Sequence, residues 1–217
     1  MAFFDIITKM DETVASQKSN ETLGSGLKRM ALFLAIIGLL VALGISIVSA
    51  LLPVFGTGGI VGGIVIAIIL LIGIVVGGLV FSLISSGLTY VFARMLGGKG
   101  EFGRQYGVST MILFPFLALG VVTLIFYLGL LVPLLGIVFI IPMYFMLGFL
   151  GALANYFSIV YLKAVHGLDT FKSALTIGLA LAALMILLII AVAAIVLIAG
   201  VAILGSLGAP TGYVPFA

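Results

Sequence analysis

Residues 60–93 read IVGGIVIAIILLIGIVVGGLVFSLISSGLTYVFA, 34 residues from Ile60 to Ala93 with no charged side chain. A membrane-crossing helix needs about 20 apolar residues, so a hairpin of two crossings and a turn needs more than this run holds. One perpendicular crossing needs fewer. The stretch is therefore expected as a single long helix, tilted or protruding from the bilayer.

The rest of the chain follows by working outward. Upstream, residues 30–52 form one apolar span, ended by Pro53 and the glycine-rich PVFGTGG turn. Downstream, the 58 residues between Arg104 and Lys163 carry no charge, room for two crossings, and LVPLLG around Pro133 offers a turn between them. Pro142 competes as the break point, and Pro115 falls inside the third run, where a kink is expected. A final run from Ser173 to Leu204 gives one more span.

Composition leaves membrane as the solvent. Of 217 residues 65% are hydrophobic and 7% charged, against roughly 25% charged in an ordinary soluble domain. An all-α integral membrane bundle of five transmembrane helices is expected. The cations orient it, because Lys and Arg accumulate in short cytoplasmic loops. Lys9, Lys18, Lys28 and Arg29 precede the first span, Arg94, Lys99 and Arg104 follow the second, and Lys163 and Lys172 follow the fourth. Five crossings put all nine basic residues on one side, with the N-terminus cytoplasmic and the C-terminus outside. Four or six would scatter them. The expected organisation is a cytoplasmic segment over 1–29, a five-span domain over 30–205 and a short outer tail over 206–217. With no tryptophan, interfacial aromatics must be Tyr or Phe, such as Tyr90, Phe92, Tyr127 and Tyr161.

The N-terminus is too long and too acidic for the n-region of a signal peptide, with Asp5, Asp11, Glu12 and Glu21 ahead of Met30. Phe3, Phe4, Ile7, Met10 and Val14 make an apolar stripe at helical spacing. Three readings stay open for it: an interfacial helix, a tail docked on the bundle, or a partner-binding helix. QKSNETLGSG after it reads as a flexible linker.

Within the spans there is no carboxylate, ammonium, guanidinium or imidazole, which argues against proton relays and voltage sensing. Packing must rest on small residues. The spacings Gly73/Gly77, Gly59/Gly63, Gly38/Ala42 and Gly148/Ala152 are candidates for helix contacts or for a homo-oligomer. Ser82, Ser85, Ser86, Thr89 and Tyr90 fall at spacings of three and four. Ser109, Thr110, Asn155, Ser158 and Thr176 bring further polar groups to the same half of the membrane. Either these satisfy one another between helices, or Ser82, Ser86, Thr89, Asn155 and Ser158 line a polar cleft open to the cytoplasm.

Catalytic and cofactor chemistry is not expected. There is no cysteine, and the single His166 lies near Asp169 without further metal ligands. No nucleophile elbow accompanies the serines. The glycine-rich LGGKG at 96–100 lacks the GK[ST] continuation of a phosphate-binding loop. The nine cations form no continuous stripe for nucleic acid.

That same glycine-rich stretch carries a resemblance. Residues 90–102, YVFARMLGGKGEF, followed by a span with Phe114 and Pro115, resemble the central signature of the Yip (Ypt-interacting protein) domain family. Residues 161–175, YLKAVHGLDTFKSAL, resemble the loop before that family's last span. Arg94, Gly97, Gly98, Gly100, Phe102 and Pro115 match the first motif, and His166, Gly167 and Lys172 the second. With Arg104 and Asp169 they make a candidate cytoplasmic face. The resemblance, covering about 30–205, implies a cytosolic N-terminus and, from eukaryotic members, a role in vesicle trafficking with Rab-type GTPase partners. The residues alone leave two functions open. One is a non-enzymatic scaffold, adaptor or membrane-organising factor, multi-pass in the cell membrane if prokaryotic. The other is a passive transporter, channel or lipid scramblase using the cleft.

Overall fold

A computed structural model describes residues 10–17, 19–51, 59–113 and 133–207, and every regular element among them is a helix. In chain order these are α1 (Met10–Gln17), α2 (Leu23–Leu51), α3 (Gly59–Met95), α4 (residues 102–113), α5 (Pro133–His166) and α6 (Thr170–Leu207). Four of them, α2, α3, α5 and α6, are long and apolar enough to cross a membrane. The chain is a multi-pass membrane protein.

The stretch 60–93 lies within one uninterrupted helix. At 37 residues and about 1.5 Å per residue, α3 is about 55 Å long, well beyond the roughly 30 Å hydrocarbon core. Of the two candidate breaks in the following run, Pro133 is the first residue of α5 while Pro142 sits inside that helix. Pro133 lacks an N–H at a position where none is needed, so it starts a helix at no cost. The expected third span begins as α4; Pro115 and the remainder of that span lie outside the described residues.

The supposed linker is helical from Leu23 onward. Thr22 caps α2: the Ser25 amide donates to Thr22 Oγ1 at 3.2 Å, and the Thr22 amide donates to Ser25 Oγ at 3.1 Å. This reciprocal pair satisfies two amides that a helix start leaves bare. Reading the span from its first apolar residue, Met30, therefore misses the opening turns.

Among the described residues α2 and α3 pack against each other extensively. Leu71 packs onto Gly38 and Leu34 onto Gly78, so that a methyl group on either glycine would lie 2.7 or 2.6 Å from the leucine's δ carbon. Ala42 is buried beside them, and the Gly38/Ala42 spacing is a true contact. Gly73, Gly77 and Gly148 have nothing within 4 Å of such a methyl, and they are exposed along with Ala152. Gly63 is buried, while the surroundings of Gly59 lie outside the described side chains.

Burial is concentrated at one end. Ala93, Val108, Ile112, Phe157, Tyr161, Leu162 and Val165 form the core where α3 ends, α4 begins, α5 ends and α6 begins. Val14 of α1 is fully buried among them, so Met10–Gln17 docks on the bundle; Phe3, Phe4 and Ile7 lie outside the described residues. Toward the other end large apolar side chains stand outward, Ile69 at 63% exposure and Leu197 at 70%. Lipid tails match such surfaces as well as another helix does, so apolar burial gives little drive for tighter packing there.

Candidate functional site

The two sequence motifs meet at this end of the bundle. α3 closes with Gly97 in the left-handed region (φ +93°), its amide donating to Arg94 O at 3.1 Å while the Gly98 amide donates to Ala93 O at 2.8 Å. These are the paired bonds of a Schellman ending. α5 ends on Gly167 (φ +68°), whose amide donates to Lys163 O at 2.9 Å. Among the described residues only Gly97 and Gly167 adopt positive φ. Gly98 and Gly100 are glycine for another reason: a methyl on either would lie 2.9 Å from His166 Nδ1, and on Gly100 also 2.7 Å from Val165 O. The glycine-rich loop lies flat on the histidine ring, and the Lys99 amide donates to His166 O at 3.1 Å.

His166 is the hub. Its Nε2 lies 2.7 Å from Gln105 Oε1, and Gln105 Nε2 donates to Ser86 O at 3.0 Å. That second bond fixes the amide orientation, so Gln105 presents an acceptor and His166 Nε2 carries the proton. Nδ1 is then a bare lone pair, buried with no hydrogen-bond partner among the described residues. Rings extend the link: Tyr90 is 5.9 Å from His166 and meets Phe102 edge-on at 5.7 Å. Phe102 lies 6.1 Å from Tyr106, whose hydroxyl is 2.8 Å from Ser82 Oγ. α3, α4 and α5 are thus tied by one chain of side chains. Gln105, fully buried, carries no motif signal and was not anticipated.

Other predicted face residues have local tasks. Asp169 Oδ1 accepts the Lys172 amide at 2.7 Å and caps α6. Arg94 donates to Gly98 O at 3.3 Å and is otherwise exposed. Arg104 reaches Glu101 at 3.8 Å with both side chains well exposed, a pair of little energetic weight. Pro115 lies outside the described residues. Exposed around the hub are Lys99, Lys163 and Lys172, with Met95 at 73% and Phe171 at 76% exposure.

A second constellation was invisible in the sequence. Glu21, whose side chain is 4% exposed, forms a two-pronged ion pair with Arg29 at 2.6 and 2.7 Å. Ser25 Oγ donates to the same carboxylate at 2.8 Å, and Arg29 also donates to Gly107 O at 3.2 Å. The start of α2 is thereby locked onto α4. Burial pushes the Glu21 carboxyl up, but the hydrogen bonds from Arg29 and Ser25 and the guanidinium charge outweigh it and hold the group below its ordinary value. The two residues are eight apart across a helix cap, a spacing that advertises no pairing.

The hydroxyl cluster forms a cavity of about 360 Å³ between α2, α3, α4 and α5. Ser82, Ser86, Thr89 and Ser158 all line it, joined by Ser85, Tyr106 and Ser109. A smaller cavity of about 230 Å³ flanks the same seam, sharing Ser85, Thr89 and Ser158 and adding Asn155 and α6. Thr110 and Thr176 are buried and belong to neither lining. The hydroxyls satisfy themselves mostly on their own helices rather than on each other. Ser82 donates to Leu79 O, Thr89 to Ser85 O and Ser109 to Tyr106 O, each at 2.9 Å, and Asn155 donates to Gly151 O at 3.0 Å. Such back-bonding lets a hydroxyl sit in an apolar helix without an orphan donor.

Among the described residues no group of three or more histidine, cysteine or acidic side chains is placed to hold a metal. Comparison with known proteins adds no relative: no family model matches the chain, and neither a curated protein nor a solved structure is significantly similar to it.

Proposed function

We propose that this chain is a non-enzymatic membrane scaffold or adaptor of the Yip-domain type, presenting a rigid face to the cytosol. The observation that carries the reading is the locking of both motifs around His166. His166 Nε2, the Gln105 amide and the amides of the glycine-rich loop are engaged with each other and with helix ends, while Lys99, Lys163, Lys172, Met95 and Phe171 are exposed around them. Met95 and Phe171 are of the residue types enriched at protein interfaces, and the lysines suit the polar rim around such a contact; a GTPase-type partner rests on the family resemblance alone. The outward Gly73/Gly77 face offers a route to self-association.

In this reading the charged end faces the cytosol and the chain crosses five times. Supporting that count, the chain enters α4 at the charged end, while α5 returns to that end from a start a helix length away. A photo-crosslinking amino acid at Phe171 or Met95, activated in native membranes, is expected to give a discrete protein adduct. Adducts to lipid alone at both positions, together with wild-type behaviour of a Lys99→Glu/Lys172→Glu variant, would remove the adaptor reading.

A second reading, a passive path for a small molecule or lipid, is favoured by the two cavities flanking the Ser85–Ser158 seam. Reconstituted vesicles that flip labelled lipid no faster than empty controls would sink it.

A further inference from the structure

We infer that the larger cavity is a binding site for the headgroup of one uncharged glycerolipid, a headgroup with free hydroxyls and no phosphate, entering from the bilayer. The inference stands apart from the adaptor reading, since it concerns the interior of the bundle and not its charged face.

Place comes first. The lining residues from α2, α3 and α5 all fall in the membrane-crossing segments of those helices. Phe81 lines the cavity and is also 55% exposed on the outer surface of α3. The cavity therefore meets the lipid-facing surface beside this ring. At about 360 Å³ it lies within the roughly 300–1,000 Å³ typical of ligand pockets.

Chemistry then narrows the occupant. Among the described residues the lining holds five serine and threonine hydroxyls and Ser109 besides, yet no lysine, arginine, histidine or carboxylate. A phosphate in so apolar a setting needs a cation or a comb of amides, and neither lines this space. A hydroxylated headgroup needs donors and acceptors in balance. Ser82, Thr89 and Ser109 have given their protons to helix carbonyls, which leaves oxygen lone pairs as acceptors. Ser85 and Ser158 make no side-chain hydrogen bond among the described residues, so both keep a donor to offer. Phe33, Leu34 and Phe81 supply apolar wall for the first methylenes of acyl chains.

The test uses the purified full-length protein in detergent, titrated by native mass spectrometry with dioleoylglycerol, its galactosyl derivative, dioleoylphosphatidylglycerol and free glycerol. One bound molecule of either uncharged lipid is expected, with the phosphate lipid and glycerol not retained. The double variant Ser85→Ala/Ser158→Ala should weaken the uncharged adduct by about fivefold to tenfold, as expected for two lost hydrogen bonds, without moving the thermal midpoint. Phosphatidylglycerol binding as tightly as dioleoylglycerol, glycerol binding as well as the lipids, or no uncharged adduct would each overturn the inference. A diazirine-bearing diacylglycerol gives an answer free of any variant: labelling within 78–89 and 106–113 supports the site, and labelling confined to the outer face over 62–76 overturns it.

Discussion

The bond between His166 and Gln105 offers a quantitative test, because both side chains are buried, at 2% and 0% exposure. His166→Phe keeps a ring of similar size but strands Gln105 Oε1 without its donor. An orphaned buried polar group costs about 1–3 kcal/mol. The loss falls toward the low end, because the same change also removes the unpartnered Nδ1. Gln105→Met strands His166 Nε2–H and withdraws the donor from Ser86 O, a cost toward the high end. The double variant leaves neither orphan and should be less destabilised than the sum of the singles by about 1–3 kcal/mol. Thermal unfolding of the four proteins in one detergent reads the cycle, at about 2–4 °C per kcal/mol for a chain of this size. Singles that add to within about 0.5 kcal/mol would refute His166 as the link between α4 and α5.

Further expectations follow from the same geometry. Arg29→Met leaves Glu21 buried and unpaired and should destabilise by about 2–4 kcal/mol, less than a fully buried pair because Arg29 is 32% exposed; Glu21→Gln should restore much of the loss, as equilibrium unfolding would show. The folded-state value of Glu21 lies below its ordinary 4.5, so its contribution is complete above that value and is lost as pH falls through the lower folded value. Thermal midpoints measured from about pH 6 to about pH 3 should therefore drop more steeply for wild type than for Glu21→Gln below 4.5, and parallel curves would contradict the assignment. Gly38→Leu should cost about 1–3 kcal/mol or more through overpacking against Leu71. Gly73→Ala should be neutral or stabilising by about 0.5–1 kcal/mol in the monomer; loss of stability or a change of oligomeric mass there would place a second chain on that face.

Hydropathy and charge placement alone decided the membrane environment, the identity of the long helix α3 and the gathering of cations at one end. These depend on properties summed over about 20 residues, and a sum survives ignorance of every contact. Helix ends were less legible. The Thr22 cap lies eight residues before Met30, where the apolar run starts, and works through hydroxyl and amide geometry, which hydropathy does not register. Pro142 competed with Pro133 as the break point, and only Pro133 begins a helix. At the candidate site, the shared face of Ser82, Ser86 and Thr89 was readable from periodicity, but the cavity they line with Ser158 depends on four helices meeting. The pairing of Glu21 with Arg29, the insertion of Gln105 between His166 and Ser86, and the need for glycine at 98 and 100 were decided by tertiary structure alone. Each is a contact at a single distance between segments whose spacing in the chain says nothing of their spacing in space.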